Sequence, residues 1–498
     1  MRKLFRDGVW AMLFGLLLSP CMLTSCSNEE DTPVDPDPET IVPQVIVDKS
    51  GETYVNTGKI VIGLSDDDIT YQRVTTIIDS RGRVKEIVRD CSAMAAIKLN
   101  GDVQDTLTRV NNVTLINKGV IEIHTKKFVE NFHDQTQFTN DPETKDRTYH
   151  YLRVLGMLGE GEGNMLVNEG LIDVYFDHDP KTEFIVYCFA MCGNEYSTFI
   201  NRGQIRFQGF GAEQARMRGM GTMGRNVTSI NAGTMTCNVE LAEDTRFITT
   251  GGDYNDIVNN GVMEGKTTGR LIGMTRFGNS NIVNNGTINL TTTKVKDGYR
   301  IYLYPADRFT CGMMESVSAT RTNIPPMNNR GNINVRIEES ESAAAVGHGI
   351  FFDMVAPNDA NVTINNEGSI KVSQNDPQYK HDMAEVGFVD RSGQKGACHI
   401  TVGRWKTPLR DFATTHDLFY AKGISMDFAG SEFQLTRGDG YVDGTAYSVA
   451  PEALIYNANP EGSVFEYKGY DQVSFTAVEN DVTMDWDKEG RTISLSKK

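Results

Sequence analysis

The chain has 498 residues, with 49 Lys and Arg against 66 Asp and Glu and a net charge of −17. So acidic a surface repels polyanions at long range and argues against nucleic acid as a partner. The length is enough for one large or two modest domains.

The N-terminal residues carry Arg2, Lys3 and Arg6, then a short apolar stretch from Val9 to Leu18. This is the basic start and short apolar core of an export signal, too short to span a bilayer. It runs into Leu23-Thr24-Ser25-Cys26, which resembles the bacterial lipobox. The resemblance implies that Cys26 is lipidated and becomes the first mature residue, with 1–25 as signal peptide. Cys21 follows Pro20 and is a poor rival; simple secretion is the alternative. Residues 26–45 carry Ser27-Asn28-Glu29-Glu30-Asp31 and then Pro33, Pro36, Pro38 and Pro43 among acids. Such sequence stays extended and serves as a tether. An acidic cluster after the lipidated Cys resembles the surface-export signal of Bacteroides-type lipoproteins, which implies the outer face of the cell outer membrane. Removing residues 1–25 takes away Arg2, Lys3, Arg6 and Asp7, leaving 46 basic and 65 acidic residues and a net charge of about −19. No second apolar run reaches the length of a membrane span.

From residue 46 a phrase repeats: an aliphatic residue, Asn-x-Gly, then a β-branched strand. It occurs with Asn56, Asn117, Asn168, Asn201, Asn231, Asn259 and Asn284, and as Asn-x-Gly without the leading aliphatic at Asn329 and Asn366, in steps of 61, 51, 33, 30, 28, 25, 45 and 37 residues. An internal repeat of this kind decides the architecture. The shortest steps suit one coil of a solenoid; the longest imply a coil with an insertion, or two coils with one degenerate. Asn and Gly tolerate a left-handed backbone, which suits a corner. After each Gly the pattern alternates as a half-buried strand: Ile121 and Ile123, Ile172 and Val174, Ile205 and Phe207, Ile288 and Leu290, Ile333 and Val335, Ile370 and Val372. Stacked coils put these residues in register, and the Asn side chains form a hydrogen-bonded ladder. A second echo is rich in Gly and Met: Gly156-Met157, Ala190-Met191, Gly273-Met274, Gly312-Met313 and Gly347-His348-Gly349. It reads as another strand of each coil.

On these residues, and on Asn284-Asn285-Gly286-Thr287-Ile288 in particular, the chain resembles the right-handed parallel β-helix of pectate-lyase-like enzymes and of autotransporter and filamentous adhesins. The expected fold is all-β: a parallel β-helix over 46–375, with degenerate coils or a β-rich C-terminal cap over 376–498. A cap is expected because the open end of a solenoid exposes strand edges. The fold hosts both enzymes and passive stalks, so it does not fix function.

The candidate sites are few. Cys91, Cys188, Cys192, Cys237, Cys311 and Cys398 lack zinc spacing and read as free thiols that act as small hydrophobes, with disulfides left open. Cys188 and Cys192, four apart, are expected on one strand face and too far apart to bridge. Asp177-His178-Asp179, with Glu160 and Glu162 earlier, is the densest ionisable group and reads first as a solvated turn. Calcium is the only cofactor the acids suggest, at Asp439 and Asp443 or at Asp66-Asp67-Asp68. Gly219 to Gly224 spells G-x-G-x-x-G without the strand–helix setting that a nucleotide requires. Asn-Val-Thr at 112, 226 and 361 matches a glycosylation sequon, but strand patterning explains it. Trp405, Tyr441, Tyr456, Tyr467, Tyr470 and Trp486 are candidates for stacking on sugar rings. No residue earns a catalytic role.

The favoured function is surface recognition or adhesion, with polysaccharide ahead of an envelope protein as partner. A polysaccharide lyase or glycoside hydrolase on the same fold is the rival, and an envelope spacer the third reading. Replacing Cys26 by Ala should move the protein from the membrane fraction to the soluble fraction; retention in membranes would rule out the lipid anchor.

Overall fold

The structure, a computed structural model, describes residues 41–42, 45–65, 73–78, 84–90, 94–99, 110–135, 149–159, 161–180, 185–211, 215–222, 224–294, 308–317, 324–339, 345–354, 360–376 and 382–390. Beyond these it describes the strands at 397–405, 422–427, 432–437, 452–457, 464–468, 472–477, 482–487 and 492–497. Among these residues the strands form three long sheets of 10, 15 and 14 strands, and successive coils pair in parallel. The chain is a right-handed parallel β-helix. The corner sheet holds short strands that end at the repeated Asn, such as Thr114–Asn117, Met165–Asn168 and Thr198–Asn201. The aliphatic sheet follows each corner, with Val120–His124, Leu171–Phe176 and Gln204–Gly211. The small-residue sheet completes the coil, with Tyr149–Gly159, Ile185–Gly193, Ala215–Thr222, Asp244–Thr250 and Arg270–Phe277.

The nine asparagines of the repeat form a single column, each no more than 2% exposed. Each side-chain amide donates to the amide oxygen of the next, from Asn56 to Asn117 at 2.8 Å through to Asn329 and Asn366 at 2.7 Å. The backbone closes the same corner. The Asn284 carbonyl accepts the Arg330 and Gly331 N–H groups at 2.7 and 3.0 Å, and the other corners repeat the pattern. A buried amide is costly unless paired, and here the coil above supplies the partner.

The corner glycines and asparagines do not adopt the left-handed backbone expected of them; neither has positive φ. Glycine is required there for close approach: a Cβ on Gly286 would collide with the Gly261 carbonyl oxygen, and one on Gly170 with that of Gly119. Six of the residues with left-handed backbone share a different corner, two positions before the corner-sheet strands: Gly51, Asn112, Gly163, Tyr196, Asn226 and Tyr254. Two of the Asn-Val-Thr asparagines, Asn112 and Asn226, fill this place, whereas Asn361 lies in the strand Ala360–Asn366.

Inward positions follow the expected alternation: Ile121, Ile172, Ile205, Ile288, Ile333 and Ile370 are buried in the main core. Where an aliphatic residue precedes the Asn it joins no core cluster, because the Asn points in, although Val167 is covered at 5% exposure. Val55 is exposed and Ile116, Ile200, Ile230, Val258 and Val283 are half-buried. In the small-residue sheet Met157, Met191, Met220, Ile248, Met274, Met313 and Ile350 share one register column. The residue before each points inward too, so the strand bends there, and a Cβ on Gly273 would press on Gly312 and Ile288. This bend separates Cys188, in the core, from Cys192, which packs on the outer face; they do not share a strand face as expected. Cys188, Cys237 and Cys311 are buried free thiols; the side chains of Cys91 and Cys398 lie outside the described residues. Gly219 and Gly221 lie inside the strand Ala215–Thr222, which is no setting for a nucleotide loop.

The long steps are single coils with insertions. Asn56 pairs directly with Asn117, and the step holds an antiparallel hairpin, Arg73–Ile78 with Val84–Asp90. The step from Asn117 to Asn168 holds helix α1 (Lys126–Gln135), which buries Phe128 and Val129 in the core. Among the described residues the last strand of the aliphatic sheet is Ser369–Asn375, while the other two sheets continue in parallel to Gln472–Ala477 and Val464–Lys468. Thr492–Lys497 pairs antiparallel with Val464–Glu466 on one side and with the strand Val482–Asp487 on the other.

Replacing Asn284 by Ala strands the donor of Asn259 and the acceptor of Asn329. It should lower unfolding free energy by about 1–3 kcal/mol, read from the denaturation midpoint; an unchanged midpoint would contradict a ladder that contributes to stability.

Candidate ligand-binding face

The outward side of the aliphatic sheet is polar along its length. One register column runs Glu122, Asp173, Arg206, Thr236, Glu264, Asn289, Asn334 and Lys371; the next runs His124, Tyr175, Gln208, Asn238, Lys266, Thr291, Arg336 and Ser373. All but Asp173 are half-buried or exposed. Alternation puts these side chains opposite the aliphatic core positions.

Ionisable groups converge at the N-terminal end of this face. Asp173, 2% exposed, accepts Arg206 through both carboxylate oxygens and the Gln208 amide at 2.8 Å. Its partner Arg206 keeps 41% of its side chain exposed. His124 lies between Asp177 at 2.7 Å and Glu122 at 3.0 Å, and its ring stacks on Tyr175 at 4.8 Å and 5°. Lys59 pairs with Glu122 at 2.8 Å. Asp177 also accepts the Lys126 N–H at 2.8 Å, at the N-terminus of α1, where the helix dipole favours a negative charge.

These contacts set the protonation. Asp177 above all, with Glu122, raises the His124 pKa against the effect of burial. Burial works to raise Glu122 and Asp177, but Lys59 and His124 beside the first, and His124 and the Lys126 N–H beside the second, hold both below the usual range. The neighbouring His178 is buried, its Nδ1 2.7 Å from the Thr125 hydroxyl and its Nε2 without a partner among the described residues. Burial pushes it down to about 4. Asp177 therefore meets His124, whose other ring nitrogen meets Glu122, and not the Glu162 that precedes it in sequence, whose N–H donates to Asn111 at the opposite corner. Among the described residues no three His, Cys, Asp or Glu side chains are arranged to hold a metal ion.

The other sequence candidates fall outside what is described. Trp405, Tyr456, Tyr467 and Trp486 lie in strands whose side chains are outside the described set. Tyr441, Tyr470, Asp439, Asp443, Asp66 and Cys26 lie outside the described residues altogether.

Sequence reasoning also missed a buried charge network on the outer side of the small-residue sheet. Arg216 pairs with Glu243 at 2.8 and 2.9 Å, and Asp244 pairs with Arg218 at 2.6 Å and Arg246 at 3.1 Å. Burial works to raise Asp244, yet Arg218, Arg246, Arg270 and Arg216 hold it far below the usual carboxylate range. Burial pushes Arg270 down to about 10. Flanking apolar clusters, Leu155, Leu158 and Phe189 on one side and Ile272, Cys311, Met314 and Phe351 on the other, complete this buried face. No spacing announces it, because the partners are 26 and 27 residues apart.

The family model for the BigA third pectate lyase-like domain matches residues 25–234, less than half the chain. That range contains the whole ionisable cluster on the polar face. Comparison with curated proteins and with solved structures returned no match.

His178 predicts an acid limb in stability. Its folded pKa, about 4, lies below the ordinary 6.5, so its contribution is complete above 6.5 and is lost as pH falls toward 4. His124 shifts upward, so its contribution is complete below 6.5 and lost as pH rises through its folded value. Urea midpoints should therefore fall between pH 6.5 and 4, and His178→Asn should flatten that limb. An unchanged slope in the variant would show that the imidazole is not buried neutral.

Proposed function

We propose that the chain is a lipid-anchored surface protein of the bacterial outer membrane that recognises polysaccharide. The observation that carries this reading is the exposed register of carboxylate, guanidinium, amide and hydroxyl groups on the aliphatic sheet, with the Tyr175–His124 stack at one end. Sugars are bound by such groups: hydroxyls donate to carboxylates and accept from amide and guanidinium N–H groups, and ring faces lie on aromatics. The coil repeat presents them at the parallel-strand spacing of about 4.8 Å, a regular ladder for a regular polymer. The leader residues up to Cys26 and the acidic tether that follows support the anchored, outward-facing location. The pectate lyase-like family match supports a carbohydrate-related role.

A second reading is favoured by one feature. Glu122, His124, Asp173, Asp177 and Arg206 come together from three adjacent coils, and such convergence is what cleavage of a glycosidic polymer by this fold requires. Binding needs only the exposed face.

Affinity electrophoresis of the full chain through gels of host and plant polysaccharides, with product size measured afterwards, separates the two. Retardation without shortening is expected, and Arg206→Ala should weaken it by about tenfold, as loss of a charged hydrogen-bonding group typically does. Shortened product would establish an enzyme instead. Migration unaffected by every polysaccharide would end the carbohydrate reading.

A further inference from the structure

Tyr196 and Tyr254 have φ of 58° and 60°. They occupy the left-handed corner between the small-residue and corner sheets, which other coils fill with Gly51, Asn112, Gly163 and Asn226. A left-handed backbone costs an ordinary L-residue roughly 1–2 kcal/mol, and Gly and Asn are the inexpensive occupants. Bulky residues there are outliers that call for a reason. Packing does not supply one: the two tyrosines are 56% and 61% exposed and belong to no core cluster. With Asn or Gly in their place no core cluster would lose a member.

The local geometry places them on one ridge. The Tyr196 N–H donates to the Arg225 carbonyl at 3.0 Å and the Asn226 N–H to the Asp253 carbonyl at 3.1 Å, so the three coils stack in register at this corner. One coil lies between the tyrosines, which separates them by about 10 Å along the axis. That is close to the length of a disaccharide unit in an extended chain. Arg225 and Asn226, both exposed, lie between them.

We propose that Tyr196 and Tyr254, with Arg225 and Asn226 between them, form a sugar-stacking ridge for a polysaccharide running parallel to the helix axis. Each phenol ring takes the apolar face of one sugar ring, and the Arg and Asn side chains donate to the hydroxyls of the ring between. The left-handed backbone fixes the direction in which each tyrosine leaves the chain, so less freedom is lost on binding. This ridge deepens the polysaccharide reading and rests on it, but uses a different side of the coil from the polar face.

The test is affinity electrophoresis of the full chain in gels carrying a mannan, a xyloglucan or polygalacturonate, alongside thermal melting. Tyr196→Ala/Tyr254→Ala should weaken retardation at least about tenfold, whereas Tyr196→Phe/Tyr254→Phe should keep most of it. Tyr196→Asn and Tyr254→Asn should melt no lower than the parent, because the strain is relieved. Retardation unchanged by the double Ala variant overturns the ridge while leaving the polar face intact. A parent chain retarded by no polysaccharide overturns both. A clear drop in melting temperature for the Asn variants would make the tyrosines structural and overturn the ridge alone. A parent dimer that the double Ala variant dissociates, seen by sedimentation, would make it a self-association surface and overturn the proposal.

Discussion

The fold depends on the Asn corner. One buried amide per coil accepts from the coil below and donates to the coil above, so every side-chain amide is satisfied by a copy of itself. The constraint is one-dimensional, and it shows where it ends. Asn366 lies opposite Trp405 in the next strand, and its Nδ2 has no partner among the described residues. Among the described residues the last strand of the aliphatic sheet is the one that follows this corner, while the other two sheets go on.

The corners also dictate where variation is tolerated. Their spacing is fixed by backbone contact, since the stacked glycines leave no room for a Cβ. Insertions therefore enter elsewhere, in the path from the aliphatic to the small-residue sheet, where the hairpin and α1 lie. The ionisable cluster on the polar face forms at one of these places. Asp177 caps α1 from the neighbouring coil and meets His124 one residue before the inserted segment begins at Thr125. Regular coils supply the platform, and an irregular one supplies its chemistry.

Much of the scaffold was legible because period is legible. The Asn column, the inward aliphatics and the Gly–Met strands each recur with identical neighbours, and each is found in register. The reason for the corner glycines was not legible: a letter cannot distinguish freedom of φ from lack of room, and here it is room. Nor could the Asp173–Arg206 and His124–Asp177 pairs be read, being 33 and 53 residues apart across coils of unequal length. The aromatic candidates chosen by residue type lay toward the C-terminus. The tyrosines that stand out in space, Tyr196 and Tyr254, do so through a backbone conformation that residue type does not reveal.

A ladder of identical amides has a weakness: any Asn can pair with any other, so a slip by one whole coil would still satisfy it. The buried charges do not share that degeneracy. Arg216 fits Glu243, Arg218 fits Asp244, and the fully buried Arg276 fits Glu315, each in the next coil of the small-residue sheet. A buried ion pair contributes little net stability over apolar side chains of like size, but breaking one costs about 3–5 kcal/mol. A slipped coil would set Arg216 and Arg218 against Arg270 and Ile272, the residues two coils on, and leave both guanidinium groups without a carboxylate. The amide column thus makes stacking favourable at every step, and the charges make one order of stacking favourable over the rest. Repetition builds the helix, and departures from repetition fix its register.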